Sequence, residues 1–218
     1  MMKTLSLRLA ALVVAGGAAL SATTAMAAGS DAFNRAKLGG SWVSTSGKLS
    51  ISNHALKGLT GSIGYLKASS KDTAASAVFA LGGTDLEYGA IALGNIAGGT
   101  NAFVKLQAQN AAGTFDHAAF YTGNNGTGNF FTLSTPIPSP AVVDVFFCGT
   151  VATMRITSAG GVQVYTNDYG AAIGAGGGIG TYGSIAIDNY VGFPSGCADV
   201  PAGRNAHTMP HAVDKTAR

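Results

Sequence analysis

Two acidic residues that could support acid–base or metal chemistry lie close together in this sequence. Glu87 is the only glutamate of the 218 residues, and Asp85 precedes it by two positions. Residues two apart in a strand point to the same side, so the two carboxylates could share one face. Glycoside hydrolysis needs a pair of carboxylates across the scissile bond, and calcium binds several oxygen ligands. Asp85 and Glu87 are therefore the candidate metal ligands and a minimal acid–base pair.

The two cysteines, Cys148 and Cys197, allow one disulfide. An even cysteine count in an oxidising compartment favours a bridge, which would stabilise the fold by about 4 kcal/mol through closure of a long loop. The alternatives are two separate thiols or a bridge between two chains. A zinc site is disfavoured because the cysteines lack the close spacing of zinc ligand pairs.

The segments that must position these side chains are predicted to be β-strands. Apolar and polar residues alternate with period two, for example in segments 49–52, 104–108, 143–147 and 153–157. Glycine- and asparagine-rich turns separate the segments at intervals of about 8 to 12 residues, which is typical of a sandwich or barrel. The sequence therefore predicts an all-β, antiparallel β-sandwich without long helices.

The N-terminus has the three parts of a secretory signal. Lys3 and Arg8 make it basic, a short apolar run follows, and Ala25-Met26-Ala27 matches the small residues read by signal peptidase. We expect a signal peptide at 1–27, one domain at 28–197, and a loosely ordered tail at 198–218. The apolar run is too short for a membrane-spanning helix, so we expect a bacterial-type secreted, periplasmic or surface protein without a membrane span.

The charge of the chain argues against nucleic acid as a partner. Removing Lys3 and Arg8 leaves 11 basic and 10 acidic residues, a net charge of +1. No run of basic residues provides the electrostatic footprint that phosphate backbones require. The remaining partner classes are carbohydrates and surface proteins.

Two phrases near the ends of the mature chain resemble the concanavalin A-like (laminin G-like) jelly-roll superfamily. The first, at 31–58, has the pattern D-x-F-x-R, then LG-x-x-W and G-x-x-x-I-x-N, and includes Asp31 and Trp42. The second, at 178–192, has G-x-G followed by IDNYVG. The resemblance implies a jelly-roll sandwich, in which Trp42 fills the core or covers an edge and Asp188 and Asn189 hold loops. This superfamily includes lectins, adhesins, accessory modules and enzymes.

The resemblance also suggests where a ligand would bind. Jelly-roll polysaccharide lyases use an Arg, a Gln, a His and a Tyr on one sheet; Gln107, His117 and Tyr121 match three of these, although the lyase phrases around them are absent. The E-x-D-x-E motif of jelly-roll glucanases is absent as well. The full set of candidate ligand-binding residues is Tyr88, Gln107, His117, Tyr121, Asn124 and Tyr165.

These observations favour a secreted, non-catalytic binding module for carbohydrate or a cell-surface ligand, with calcium as the one cofactor to consider. The alternatives are a structural envelope protein that binds other proteins, and a weak polysaccharide hydrolase or lyase. Exposed aromatic residues collected on one sheet would favour sugar binding. A flat, polar sheet would favour the structural role.

Overall fold

The structure is a computed structural model that describes residues 29–58, 61–95, 100–109, 113–123, 128–199 and 206–208. The predicted signal peptide and Asn124 lie outside these residues. The period-two segments form strands, as expected for half-buried extended chains. In chain order the described strands are β1 (Gly29–Asp31), β2 (Trp42–Ser46), β3 (Leu49–Ser52), β4 (Ala55–Gly58), β5 (Ser62–Leu66), β6 (Ala74–Ala80), β7 (Glu87–Asn95), β8 (Thr100–Ala108), β9 (Thr114–Thr122), β10 (Gly128–Pro138), β11 (Ala141–Cys148), β12 (Val151–Ser158), β13 (Gly161–Asp168), β14 (Gly177–Tyr182), β15 (Ala186–Phe193) and β16 (Ala206–Thr208).

The strands form two sheets. The nine-stranded sheet has the order β16-β13-β12-β11-β6-β15-β4-β3, with β1 also paired to β15, and the seven-stranded sheet has the order β10-β9-β8-β7-β14-β5-β2. The described pairings are antiparallel except that of β16, which lies in the predicted tail and runs parallel to β13. The predicted all-β jelly-roll sandwich is confirmed.

Helical structure in the described residues is limited to two single 3-10 turns, Lys67–Ser69 and Cys197–Asp199. Neither these turns nor any other helix in the described part of the chain is long and apolar enough to cross a membrane.

The hydrophobic core lies between the two sheets, where alternate residues of facing strands are apolar. Phe79 and Met154 of the nine-stranded sheet and Leu106 and Phe120 of the seven-stranded sheet belong to one cluster and are fully buried. Burying one such side chain contributes about 1.5–3 kcal/mol. Because side chains alternate between the two sides of a strand, the remaining side chains of the seven-stranded sheet face away from the core.

The two phrases that carry the family resemblance meet in space. β1 pairs with β15, so that Asp31 lies opposite Tyr190. The Trp42 ring lies 5.5 Å from that of Tyr190 and 5.7 Å from that of Phe33. Trp42 is only 6% exposed, so its predicted core position is confirmed. The opening and closing phrases therefore form one packed corner.

Asp31 organises this corner through its carboxylate. It accepts hydrogen bonds from Arg35, from the Trp42 Nε1 at 2.7 Å and from the Phe33 backbone N–H at 2.8 Å. Burial opposes ionisation, but the hydrogen bonds from Arg35, Phe33 and Trp42 outweigh it and lower the pKa of Asp31. The charge of Asp31 is therefore paired with Arg35 and hydrogen-bonded within this corner.

The predicted Asp188 and Asn189 pair lies in an irregular part of β15. The register with β6 shifts between Asp188 and Val191, and Asn189 has a left-handed φ of 51°. Asp188 accepts a hydrogen bond of 2.7 Å from the Asn189 backbone N–H. In the described structure the Asp188 carboxylate therefore hydrogen-bonds to the next residue of the chain within a β-bulge.

The disulfide between Cys148 and Cys197 is confirmed, with 4.9 Å between the two Cα atoms. It joins the end of β11 to the 3-10 turn that follows β15. Bridges of this kind are typical of proteins that fold in an oxidising compartment.

One carboxylate, that of Asp72, is buried without a side-chain hydrogen bond in the described structure. Asp72 follows the 3-10 turn at Lys67–Ser69 and is completely buried, and neither of its carboxylate oxygens has a hydrogen-bond partner in the described structure. A Cβ atom at Gly192 would lie 2.0 Å from Asp72 Oδ2, so glycine is required there. Burial raises the pKa of Asp72 to about 6.

Candidate functional site

The side of the seven-stranded sheet that is turned away from the core, here called the outer face, brings most of the candidate ligand-binding residues together. Strand register arranges its side chains in three rows that cross the strands. The first row is Tyr65, Gly178, Ala92, Phe103, Tyr121 and Gly128. The second row is Ile63, Gly180, Ala90, Lys105, Ala119 and Phe130. The third row is Tyr182, Tyr88, Gln107, His117 and Thr132.

The second row lies between two rows that carry tyrosines, and three of its six positions are small: Gly180, Ala90 and Ala119. Its glycine and two alanines carry little or no side chain, while the neighbouring rows carry four tyrosines. Adjacent strands are about 4.8 Å apart, so six strands extend each of the first two rows over about 24 Å. The outer face is therefore long enough for an extended ligand lying across the strands.

The aromatic rings of this face pack against one another in specific pairs. Tyr88 and Tyr182 stack with 5.3 Å between ring centroids and 22° between planes. Phe103 is fully buried, and its ring lies over Gly180. The four tyrosines remain partly exposed. Packed, partly exposed rings are rigid surfaces on which the apolar side of a ligand can lie.

Lys105 lies among these rings at the centre of the face. Its Nζ is 4.4 Å from the ring centroid of Tyr88, 4.8 Å from that of Tyr121 and 5.2 Å from that of Phe103. These distances place the ammonium group within cation–π range of three rings. Lys105 is only 8% exposed, and this burial lowers its pKa to about 8. Burial, followed by the charges of Tyr182 and Tyr121, raises the pKa of Tyr88 to about 12.

Gln107 and His117 are directly opposite each other on β8 and β9. The His117 Nδ1 lies 2.8 Å from Asp116 Oδ1, and its Nε2 lies 3.1 Å from Thr132 Oγ1. The imidazole also stacks on Phe130, with centroids 4.8 Å apart. His117 is therefore fixed in orientation by one ring face and by both ring nitrogens, each of which already has a side-chain partner.

The structure places the sequence-predicted residues in different surroundings. Tyr88, Gln107, His117 and Tyr121 share the outer face, whereas Tyr165 is 2% exposed and belongs to the core cluster. Its ring packs 5.2 Å from that of Phe131, on the opposite sheet. Asn124 lies outside the described residues.

The two candidate metal ligands do not share a face. Glu87 is fully buried, and its carboxylate accepts hydrogen bonds from the backbone N–H groups of Gly82, at 2.7 Å, and Thr84. Asp85 is exposed in the turn that Glu87 holds. The described residues contain no group of three or more His, Cys, Asp or Glu side chains that could hold a metal ion.

Sequence reasoning missed Tyr65, Phe103, Lys105 and Phe130. Phe103 and Lys105 alternate with the core residues of β8, so the period-two pattern places them together with Gln107. Tyr65 and Phe130 are on strands whose neighbours cannot be deduced from local patterns. Only the register across six strands identifies the complete set.

A cavity of about 170 Å³ extends the face beyond Tyr65. It is lined in part by Lys67, Ser70, Asn95 and Gly176. Lys67, Gly94 and Gly176 each lie two residues from a first-row position, so this recess adjoins the first row along the strand direction and adds polar groups and a cation.

Replacing Gly180 with alanine is expected to destabilise the fold by about 1–3 kcal/mol through overpacking. The new Cβ would lie 2.1 Å from Phe103 Cζ, so the buried ring must move. Chemical denaturation measures the change. Gly174→Ala is the matched control, because its Cβ meets no heavy atom within 4 Å. Equal stability of the two variants would contradict the assigned packing of Phe103.

Comparisons with protein-family models and with curated proteins found no match. Solved structures with similar folds include the carbohydrate-binding module CBM66 from Bacillus subtilis, at 13% identity and a TM-score of 0.51 over 68% of this chain and 91% of that one. The catalytic domain of an endo-1,3-β-glucanase (laminarinase) from Thermotoga petrophila is 10% identical, with a TM-score of 0.51. The match covers 75% of this chain and 95% of that one.

A prokaryotic β-1,3-1,4-glucanase (lichenase) derived from a mouse hindgut metagenome gives 7% identity and a TM-score of 0.51, over 75% of this chain and 97% of that one. At such identities the similarity concerns the fold alone. It shows that this chain shares the two-sheet jelly-roll sandwich fold of these structures.

Proposed function

We propose that this protein is a secreted, non-catalytic module that binds carbohydrate on the outer face of its seven-stranded sheet. The observation that carries this proposal is that four partly exposed tyrosines share one face of the sheet, two in the first row and two in the third. Sugar rings have an apolar side that packs on aromatic rings, and hydroxyl groups that need directed hydrogen bonds. The outer face provides both.

The polar groups of the face suit hydroxyl recognition. Gln107 provides an amide that can donate and accept, and His117 is held with its ring nitrogens near Asp116 and Thr132. Because both ring nitrogens of His117 have partners, the Gln107 amide is the group that can select the orientation of a bound sugar. Gln107 lies opposite Tyr88, which stacks on Tyr182, so hydrogen bonding and stacking occur side by side.

Binding without hydrolysis is proposed because the described positions of the three rows carry no carboxylate. A glycoside hydrolase needs an acid and a second carboxylate on the two sides of the bond it cleaves. Glu87 is fully buried, and its carboxylate accepts hydrogen bonds from the turn at 82–84. Secretion, with removal of residues 1–27, is part of the same proposal and is supported by the disulfide.

The experiment is a glycan-array screen of the purified protein with calcium and with a chelator, followed by titration of the best polysaccharide. We expect saturable binding, and we expect Tyr88→Ala or Tyr182→Ala to weaken it by about 10-fold or more, because each removes half of the stacked pair. Loss of binding in the chelator would identify calcium as a cofactor.

Phe193→Ala is the matched control. Phe193 is a partly exposed aromatic residue of β15 in the nine-stranded sheet, and its ring centroid lies 6.1 Å from that of Phe146 in the same sheet. Its replacement should leave glycan binding unchanged. No binding on the array under either condition would refute the proposal and favour a structural envelope protein that binds other proteins.

A further inference from the structure

The charges of this protein are segregated along the chain, although the chain as a whole is close to neutral. Residues 31–71 contain six basic residues and one acidic residue, a net charge of +5, whereas residues 72–199 contain two basic and eight acidic residues, a net charge of −6. The acidic residue of the first segment, Asp31, forms a salt bridge with Arg35. The positive charge of this segment therefore comes from five lysines: Lys37, Lys48, Lys57, Lys67 and Lys71.

The fold brings this segment to one side of the sandwich, here called the basic edge and defined by the five lysines. β2 is the last strand of the seven-stranded sheet, with β5 beside it, and β3 is the last strand of the nine-stranded sheet, with β4 beside it. The turn between β2 and β3 contains Lys48. The Lys48 backbone N–H donates a hydrogen bond of 3.0 Å to Ser62 Oγ at the start of β5, so the two sheets meet at this turn.

The lysines are distributed around this edge from one outward side of the sandwich to the other. Leu56 of β4 is fully buried in the core, so Lys57 beside it is on the outward side of the nine-stranded sheet. Lys67 lines the recess next to Tyr65, on the outward side of the seven-stranded sheet. Lys48 lies in the turn that joins the two sheets. The positive charge therefore continues around the edge of the sandwich.

These charges are accessible. Four of the five lysines are exposed and Lys57 is half-buried, and no salt bridge among the described residues involves any of them. Lysine on an edge strand can serve only to prevent edge-to-edge pairing, but Lys57 is on an interior strand, and Lys37 and Lys71 lie between strands. A field of one sign on an exposed surface attracts partners of the opposite charge.

The shape of the basic edge favours a flexible partner over a flat one. A bilayer can contact only one side of such an edge at a time. The exposed large apolar side chains of the described residues are Leu86, Val142 and Val162, and none of these belongs to the edge, so membrane insertion of an apolar group is not supported here. A flexible chain can bend around the edge and meet lysines on both sides. Separate ammonium groups bind anions as point charges, without the fixed geometry of a guanidinium fork.

We propose that the basic edge binds an acidic polysaccharide, a flexible chain whose carboxylate groups pair with the lysines as it bends around the side of the sandwich. Disulfides persist in oxidising compartments, where acidic polysaccharides are common flexible polyanions. The edge is separate from the three rows of the outer face, so this inference goes beyond the proposed function. One molecule could hold an acidic polymer at its edge and another ligand on its outer face at the same time.

The first test compares binding of the unaltered protein to a charged polymer and to its neutral form. Polygalacturonate is compared with its carboxyl-reduced form by calorimetry at low salt, and vesicles of equal parts phosphatidylcholine and phosphatidylglycerol are the lipid alternative. We expect polygalacturonate to bind about 10–100-fold more tightly than the reduced form, and this advantage to fall as salt is raised. Equal binding of both polymers, or tighter binding to the vesicles, would overturn the proposal.

The second test removes two of the charges. Lys48→Gln combined with Lys57→Gln should weaken binding of polygalacturonate about 5–10-fold. The matched control is Thr135→Glu combined with Thr157→Glu, which lowers the net charge by the same amount at exposed positions of β10 and β12, away from the basic edge. Circular dichroism shows whether each variant is folded, and the polymer comparison with the unaltered protein stands if one is not.

The two pairs of substitutions separate a local surface from the overall charge. Equal weakening in both pairs would mean that binding follows net charge alone, and no weakening in the lysine pair would place the polymer elsewhere. Either result would overturn the role of the basic edge. Because the three rows of the outer face contain neither Lys48 nor Lys57, such a result would leave the proposed function in place.

Discussion

Replacing Cys148 and Cys197 together with serine is expected to lower the melting temperature by about 8–16 °C. The bridge spans 49 residues of sequence, and closing a loop of that length restricts the unfolded chain by about 4 kcal/mol. A domain of this size changes its melting temperature by about 2–4 °C per kcal/mol. Differential scanning calorimetry of the double variant and the parent protein measures the shift.

The control for this prediction is chemical reduction. A phosphine reductant should lower the melting temperature of the parent protein to that of the double variant and should not change the variant. The bridge ties the segment after β15 to the end of β11, and these strands lie on either side of β6. A shift below about 2 °C would mean that strand pairing alone holds this region together.

Stability is expected to increase as the pH falls from about 7 to about 4, because of Asp72. Burial raises its pKa from 3.8 to about 6, so the folded protein binds this proton more tightly than the unfolded chain does. The stabilising contribution is complete below the unfolded pKa and is lost as the pH rises through the folded one. A shift of this size corresponds to about 3 kcal/mol at most. Urea denaturation at a series of pH values measures it.

Asp72→Asn should abolish this dependence and stabilise the protein at neutral pH, because the amide carries no charge to desolvate. Asp85→Asn, in an exposed turn, is the matched control and should keep the dependence. Below about pH 4 the trend should reverse, because Asp31 has a lowered pKa and its hydrogen bonds with Arg35 and Trp42 weaken on protonation. A flat profile between pH 4 and 7 would contradict the assigned environment of Asp72.

The sequence predicted the sandwich because alternation with period two is a direct result of strand geometry. It also predicted Trp42 correctly, since the phrases around it match a family in which the two ends of the domain pack together. It failed to place Tyr165, because alternation does not distinguish the two sides of a strand when both carry apolar or aromatic groups. Tyr165 packs on Phe131 inside the sandwich, whereas Tyr121 belongs to the outer face.

The full set of residues on the outer face could not be predicted from local sequence patterns. Lys105 and Tyr88 belong to paired strands, but Tyr65 and Tyr182 reach the same face only because β14 lies between β5 and β7. That arrangement joins segments more than 100 residues apart. Glu87 illustrates the same point, because the backbone of the 82–84 turn, and no second carboxylate, provides its partners.

The position of the last long strands has a consequence for how the chain acquires its structure. β14 lies between β7 and β5 in the interior of one sheet, and β15 lies between β6 and β4 in the interior of the other. Until residues 177–193 are synthesised, both sheets lack an interior strand and expose unpaired edges on each side of the gap. Such long-range pairing delays folding of the sandwich until these residues are available. Neither sheet of this topology can therefore be completed before residues 177–193 are available, so the two sheets are completed together.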